Sequence, residues 1–443
     1  MGLQITQPRR SGRAVALPQP GRLVTRFAAS DIVGVANGAA VAGWTDGVGG
    51  IVAAQAIGTA QPTFKTNQVN GQPCVSFNGA QYMQVATPGA MKTAVDGHNY
   101  TVMIACRVTG TTSLGMAFSA ATPGSDLFSF SADGSRIGRF STGSVPYAAL
   151  NQFATQGFTS TDQGLAFCPF ANFCQHYVNG GVTHGLINAP FVTTGGFTIG
   201  GIGAGQYMGK VDIFEILVWN TTLTCTEYLQ AEMAIRDKYA QAYPWAAQSK
   251  FYVFDGDSIT MGIGATAPEN IGVYKAAQTL GLAYGQWTNL GIGGIAPSQM
   301  NALASTRVDN ISALIGKDIA LTVFEWYNQR SAHPGPYNGS TAYLTARKAA
   351  SSRTKIVWGT STDSQLDFQQ VPSEQDRNAY NAAWASYWAG AHPLIDSYMS
   401  IHTNTVVGTA GTYTTATADN IHPNNAGHTA LGALFAAGIA ALP

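Results

Sequence analysis

The sequence predicts a multidomain chain in which an antiparallel β-sandwich precedes a three-layer α/β unit built on a parallel sheet. Three observations carry this. The chain has 443 residues, and a single hydrophobic core stops growing at about 250–300 residues. From about residue 25 to 225 it gives short β-rich runs separated by Gly, Asn, Asp and Pro, the rhythm of antiparallel strands and turns. From residue 246 onward strand-like and helix-like segments alternate, which argues for parallel strands with helices on both faces. The boundaries that follow are an arm at 1–24, a sandwich at 25–245 and an α/β unit at 246–443.

The arm opens MGLQITQPRRSGRAVALPQP and is Pro-rich and basic. It reads either as an attachment to a larger assembly or as a flexible leader. It lacks the apolar stretch of a secretory signal, and the segment after Arg9-Arg10 is too polar for a twin-arginine signal. A protein of this kind acting outside a cell is expected to leave by another route, for example as part of a virion. In the sandwich, CVSFNGAQYMQV (74–85), YTVMIACRV (100–108) and DIFEILVWN (212–220) are the clearest strands. TEYLQAEMAIRDKYAQAY then predicts a helix from Thr226 to Tyr243, with Thr226 as its N-cap, Leu229, Met233 and Ile235 on its apolar side, and Pro244 ending it. In the last part, FYVFDG, WTNLGIGG, DIALTVFEW, TKIVWGTST and PLIDSYM are strand-like, while VYKAAQTLGLAYG, SEQDRNAYNAAWASYWAG and NNAGHTALGALFAAGIAAL are helix-like.

Composition narrows the partners. Lysine and arginine number 23, aspartate and glutamate 23, and charged residues make up 10% of the chain, against about 25% in an ordinary soluble domain. A neutral, Gly-rich surface argues against nucleic acid or an anionic membrane as the main partner. It suits a protein working outside the cell on neutral sugars. No run reaches the ~18 apolar residues of a membrane span. The five cysteines, Cys74, Cys106, Cys168, Cys174 and Cys225, are odd in number and irregular in spacing. They form no disulfide framework and no zinc pair, so buried free thiols are expected, with a Cys168–Cys174 bridge as the main exception.

Chemistry concentrates at two places. Ser258, in FDGDSIT, follows an apolar strand and a Gly256-Asp257 turn that can lift its hydroxyl above the sheet edge, where ligands of parallel sheets bind. Asp419 and His422 lie three residues apart in DNIHP, just before a helix. Serine is a weak nucleophile until an imidazole takes its proton, and a carboxylate holds that imidazole in the right tautomer. The bland alternative makes Asp419 a helix cap and His422 a surface residue. Asp255 and Asp257 flank Gly256, and Glu325 and Asp363 end strands where they either touch substrate or are solvated. His333 and His428 have no partner at metal-ligand spacing, and His428 reads as a residue on a helix face. Trp326, Tyr327 and Trp358, at strand ends, could stack on a sugar ring or belong to the core. Phosphate-loop, dinucleotide and HExxH motifs are missing from the sequence, and no metal or cofactor is expected.

Residues 250–443 resemble an SGNH (GDSL-type) hydrolase. The resemblance rests on GDSIT for the nucleophile, Ser258, and on Asp-x-x-His-Pro for the orienting acid, Asp419, and the base, His422. TNLGIGG is similar to the family's second block, which implies that Gly294 gives a backbone N–H to the oxyanion beside that of Ser258. The third block departs from the pattern. Where the family has Gly-x-Asn-Asp, this chain has Trp326-Tyr327-Asn328-Gln329. Asn328 can still supply the side-chain amide of the oxyanion hole, and the bulky Trp326 is expected either to reshape the pocket wall or to swing Asn328 away from the oxyanion. The first half resembles a concanavalin-like, laminin-G-like jelly roll on GQPCVSFNGAQYMQV and on KVDIFEILVWNTTLTCTEYLQAEMAIRDKY.

The two resemblances together imply a serine esterase that removes an acyl group, acetyl above all, from a polysaccharide, with the lectin-like half holding the chain and Trp326 and Tyr327 touching the sugar. Two rival readings are a lipase- or thioesterase-type hydrolase and a non-catalytic phage tail protein or surface adhesin on a hydrolase scaffold. An extracellular or virion-associated setting and a homo-oligomer or tail assembly are the expected context.

Overall fold

A computed structural model describes residues 15–97, 99–110, 116–120, 129–131, 136–138, 144–146, 152–161, 173–187, 196–201, 208–324, 338–360, 362, 374–408 and 422–443. Among these, the first half folds into antiparallel sheets, of which one has eight strands and a second has six. The strand Lys210–Trp219 lies at the heart of the larger sheet. It pairs with Tyr100–Val108 along one side, and along the other with Gln72–Asn78 at its start and Leu23–Ala28 at its end. Every residue of KVDIFEILVW after Lys210 is buried, so both faces of this strand must be covered.

One face is covered by the second sheet. Val211, Ile213, Ile216 and Val218 share a core with Val102, Ile104 and Cys106, and with Met83, Val85, Phe197 and Ile199 of the six-stranded sheet. Inward positions switch from odd to even numbers because a bulge lies between Ile213 and Glu215. On the other face, Met103, Ala105, Phe214, Leu217 and Trp219 pack against helix α1, Cys225–Lys238. The segment GQPCVSFNGAQYMQV is not a paired hairpin: Gln72–Asn78 belongs to the larger sheet and Met83–Val85 to the smaller.

Three expectations are corrected here. Helix α1 is capped by Thr224 rather than Thr226: the Glu227 N–H donates to Thr224 Oγ1 at 3.3 Å and the Thr224 N–H to Glu227 Oε2 at 2.8 Å, a reciprocal capping box. It ends at Lys238, before Pro244, with Ala240 turning the chain at φ 49°. Residues 15–22 are no loose leader, because Gln230 Nε2 donates to Ala16 O at 2.9 Å, Trp219 Nε1 donates to Pro18 O at 3.1 Å, and Val15 and Leu17 pack on the core. Cys74, Cys106 and Cys225 are buried free thiols, while Cys168 and the Cys174 side chain lie outside the described residues.

The second half holds a separate five-stranded sheet. Its strands are β1 (Lys250–Gly256), β2 (Trp287–Asn289), β3 (Asp318–Phe324), β4 (Thr354–Gly359) and β5 (Ser397–Met399). They lie in the order β2-β1-β3-β4-β5, all parallel. A single-turn helix α2 (Ser258–Met261) follows β1, and α3 (Gly272–Thr279) precedes β2. The helices α4 (Pro297–Arg307) and α5 (Ile311–Ile315) connect β2 to β3. The helix α6 (Asn338–Ala350) precedes β4, α7 (Glu374–Ala389) precedes β5, and α8 (Asn425–Ala440) ends the unit.

Alternate strand residues define the layers. Phe254, Phe324, Val357 and Met399 face α3 and α8. Phe251, Val253, Ile319, Leu321, Val323, Ile356 and Trp358 belong to a core with residues of α4 to α7. That core is continuous with the one around α1. The halves also meet at the edge strand β2, where the Val182 N–H donates to Thr288 Oγ1 at 3.0 Å. A Cβ on Gly181 would lie 2.2 Å from Trp287 O, so only glycine admits this approach. Among the described residues, no helix is long and apolar enough to cross a membrane.

Candidate active site

Strand β1 lies inside the sheet, between β2 and β3, and its carboxyl end delivers the turn that carries Ser258. Gly256 is obligatory because a Cβ there would lie 1.8 Å from Phe324 O on the neighbouring strand. Asp257, fully buried, accepts the Ile259 N–H on Oδ1 at 2.9 Å. This cap starts α2 one residue later, at Ser258. Gly262 ends the turn with φ 110°, and the N–H groups of Gly262 and Ile263 both donate to Ser258 O, at 3.1 and 3.0 Å. The nucleophile candidate is thus fixed by its own backbone carbonyl as well as by the cap before it, and it is 8% exposed.

The loop after β2 lies along this turn. Asn289 Nδ2 donates to Thr260 O at 2.9 Å, and Asn289 Oδ1 accepts the Gly291 N–H at 3.0 Å. The Ile292 N–H donates to Gly256 O at 2.9 Å. A Cβ on Gly291 would stand 2.2 Å from Met261 N, and one on Gly293 would be 3.8 Å from Ser258 Cβ. Gly294 follows, half-buried and at φ 74°. TNLGIGG therefore passes close to Ser258 as backbone.

His422 closes the site. Its Nε2 is 2.9 Å from Ser258 Oγ, across 164 residues of sequence. With the imidazole neutral and Nε2 unprotonated, the Ser258 hydroxyl donates to it. A serine so placed can pass its proton to the ring as it attacks an electrophile. Gly264, at φ 94°, permits the approach: a Cβ there would lie 2.2 Å from Pro423 O and 3.1 Å from His422 Cβ.

Beneath the turn lies a buried ionic cluster that sequence reasoning missed. Asp255 Oδ1 accepts from Arg307 Nη2 at 2.8 Å, and Asp255 Oδ2 accepts from Tyr343 Oη at 2.7 Å. Arg307 also donates to Leu290 O, which ties the end of β1 to the start of the glycine loop. Asp255 is 1% exposed, so it holds the scaffold rather than meeting solvent or substrate.

His428 was expected on a helix face and is instead wholly buried. Its Nδ1 accepts the Gly272 N–H at 3.3 Å, and its Nε2 donates to Ile263 O at 3.0 Å. Burial lowers its pKa to about 4; the nearby His422 adds to the fall and the bond to Ile263 opposes it. Of the two readings of Trp358 the core one holds: it is fully buried and packs on Trp384 with ring centroids 4.8 Å apart, so it cannot stack on a sugar. Glu325, Trp326, Tyr327, Asn328, His333, Asp363 and Asp419 lie outside the described residues. Among the described residues, no group of three His, Cys, Asp or Glu side chains could hold a metal ion.

No family model matches the chain. No curated protein matches it either. Among solved structures it is similar to the sialidase of Trypanosoma rangeli, at 16% identity and a TM-score of 0.34, over 49% of this chain and 33% of the sialidase. The match therefore spans about a third of that protein's length. It is also similar to a proposed acylhydrolase of Bacteroides fragilis, at 16% identity and a TM-score of 0.33, over 44% of this chain and 88% of the other. The receptor-binding domain of botulinum neurotoxin type G aligns at 10% identity and a TM-score of 0.31, over 48% of this chain and 51% of that domain. Scores at this level carry no inference about activity.

Proposed function

We propose that the chain is a serine esterase of the SGNH type that removes small acyl groups, acetyl above all, from a polysaccharide. One observation carries the reading: the 2.9 Å contact between His422 Nε2 and Ser258 Oγ, made at the carboxyl end of an interior parallel strand. Ser258 Oγ attacks the ester carbonyl carbon while its proton passes to His422 Nε2. Asp419, three residues before His422, holds the Nδ1 proton and stabilises the imidazolium. The tetrahedral oxyanion is met by the N–H groups of Ser258 and Gly294 and by the Asn328 amide. His422 then protonates the leaving sugar oxygen as the C–O bond breaks, which leaves an acyl-serine. Water, giving its proton to His422, attacks that ester, and the carboxylic acid departs as Ser258 recovers its proton.

The sandwich half supplies the glycan-holding surface in this reading, and Trp326 and Tyr327 supply contacts to the sugar. The carbohydrate assignment rests on the low charge and on the lectin-like resemblance. The test is acetate release from O-acetylated polysaccharides by the wild type, by Ser258→Ala and by Asn328→Ala. Release should vanish with Ser258→Ala and fall about 10²- to 10³-fold with Asn328→Ala. A folded wild type that releases nothing from these substrates or from short-chain esters would make the chain a binding protein on a hydrolase scaffold.

A further inference from the structure

We infer that His428 is a positioning residue that sets the distance between the nucleophile and its base, an inference that rests on the esterase reading. The argument begins with the Ile263 peptide. Its N–H donates to Ser258 O at 3.0 Å, and its carbonyl accepts from His428 Nε2 at 3.0 Å. One residue thus joins the backbone of the nucleophile to a side chain of α8. The next residue, Gly264, stands against His422 Cβ and Pro423 O with room for no side chain. Ile263-Gly264 is therefore a wedge between the serine turn and the histidine loop, and its position fixes the 2.9 Å gap that they share.

Two groups near the start of α8 hold the wedge from the far side. Asn425 lies at the surface: it accepts the Thr266 N–H on Oδ1 at 3.0 Å and donates from Nδ2 to Thr266 Oγ1 at 2.7 Å. His428, three residues on, is the buried hold, and its second nitrogen is anchored by the Gly272 N–H at 3.3 Å. Because Nδ1 faces a donor, the ring carries its proton on Nε2, which is the atom that must donate to Ile263 O. A charged ring would set two donors against each other at Gly272. The tautomer is thus assigned by the bonds at both nitrogens, and the hold does not switch at neutral pH. This histidine serves the geometry of the reaction without touching a substrate.

Substitutions separate the two bonds. His428→Gln places an amide nitrogen near the position of Nε2 and can still donate to Ile263 O, whereas His428→Asn reaches only as far as Nδ1 and keeps the Gly272 contact alone. Steady-state hydrolysis of a short-chain chromogenic ester is measured beside thermal melting, with Ser258→Ala as the blank. His428→Asn should lower kcat about 10- to 100-fold with KM nearly unchanged, the size of effect that a misplaced reacting group produces. His428→Gln should recover most of that loss even where its melting point stays depressed. Equal kcat for the two variants at a temperature where both are folded would overturn the inference. Thr266→Val, at an exposed position that does not threaten folding, gives an independent arm. It removes the Oγ1 acceptor of both Asn425 Nδ2 and Asn270 Nδ2, while the Thr266 N–H keeps its bond to Asn425 Oδ1. This weakening of the outer hold should lower kcat about two- to tenfold, the size of one net hydrogen bond, and an unchanged kcat would also count against the wedge. Failure of the esterase reading is a different result, because the wild type itself would then show no hydrolysis above the Ser258→Ala blank.

Discussion

Replacing Arg307 with methionine should destabilise the α/β unit far more than its position on a connecting helix suggests. The guanidinium donates to Asp255 at 2.8 Å and also to Leu290 O, and Asp255 is 1% exposed. Methionine fills much of the space and removes the charge, so the Asp255 carboxylate is left buried with only Tyr343 Oη and the Gly256 N–H as donors. Removing one partner of a buried ion pair costs about 3–5 kcal/mol, because the remaining charge is uncompensated. The second substitution, Asp255→Asn, removes that charge while keeping an oxygen for Tyr343 to donate to, so the double variant should recover at least half of the loss. Equilibrium urea unfolding followed by tryptophan fluorescence reads both changes as shifts in midpoint. A loss below about 1 kcal/mol for Arg307→Met, or a double variant no more stable than the single one, would refute the claim that this pair is buried and coupled.

Two further outcomes follow from buried groups. The neutral ring of His428, with its pKa lowered to about 4, binds no proton in the folded state between about pH 4 and 6.5, whereas the unfolded chain does. Stability is therefore full above about pH 6.5 and lost as pH falls toward 4, by about 3 kcal/mol at this one group; a His428→Gln variant should show a shallower slope in melting temperature against pH, and an unaltered slope would contradict the assignment. Burial raises the thiols of Cys74 and Cys225 to about 12 and that of Cys106 to about 11, so these three should resist an aromatic disulfide reagent at neutral pH until denaturant is added. Rapid labelling of any of them in the native protein, mapped by mass spectrometry, would show that the burial is wrong.

Much of the architecture was legible because its signals are local. FYVFDG and DIALTVF are apolar runs of strand length, and they pair as β1 and β3. The capping box of α1 was also in the sequence, as Thr224 followed three residues later by Glu227; reading Thr226 as the cap overlooked that spacing. Helices α4 and α6 gave no such pattern. PSQMNALASTR buries Pro297, Met300, Ala304 and Arg307, so its inward face sets one large apolar side chain among small and charged ones, too sparse an apolar stripe to mark it as a packed helix. In the site, Ser258 and His422 could be matched through their motifs although 164 residues separate them. His428 could not, because its partners are two backbone groups, at Ile263 and Gly272, 165 and 156 residues away. Backbone partners leave no residue signature. The Asp255–Arg307 pair escaped for a related reason: an arginine at the end of a polar helix reads as solvated until the fold turns it inward.

The most direct test of the account is covalent labelling of the serine. The folded protein is treated with a fluorophosphonate, and the adduct is located by mass spectrometry in wild type, Ser258→Ala and His422→Ala. The expected result is a single adduct on Ser258, absent from Ser258→Ala and formed far more slowly in His422→Ala. A folded wild type that takes no label, or takes it at another residue, would contradict the proposal that Ser258 and His422 form an activated nucleophile.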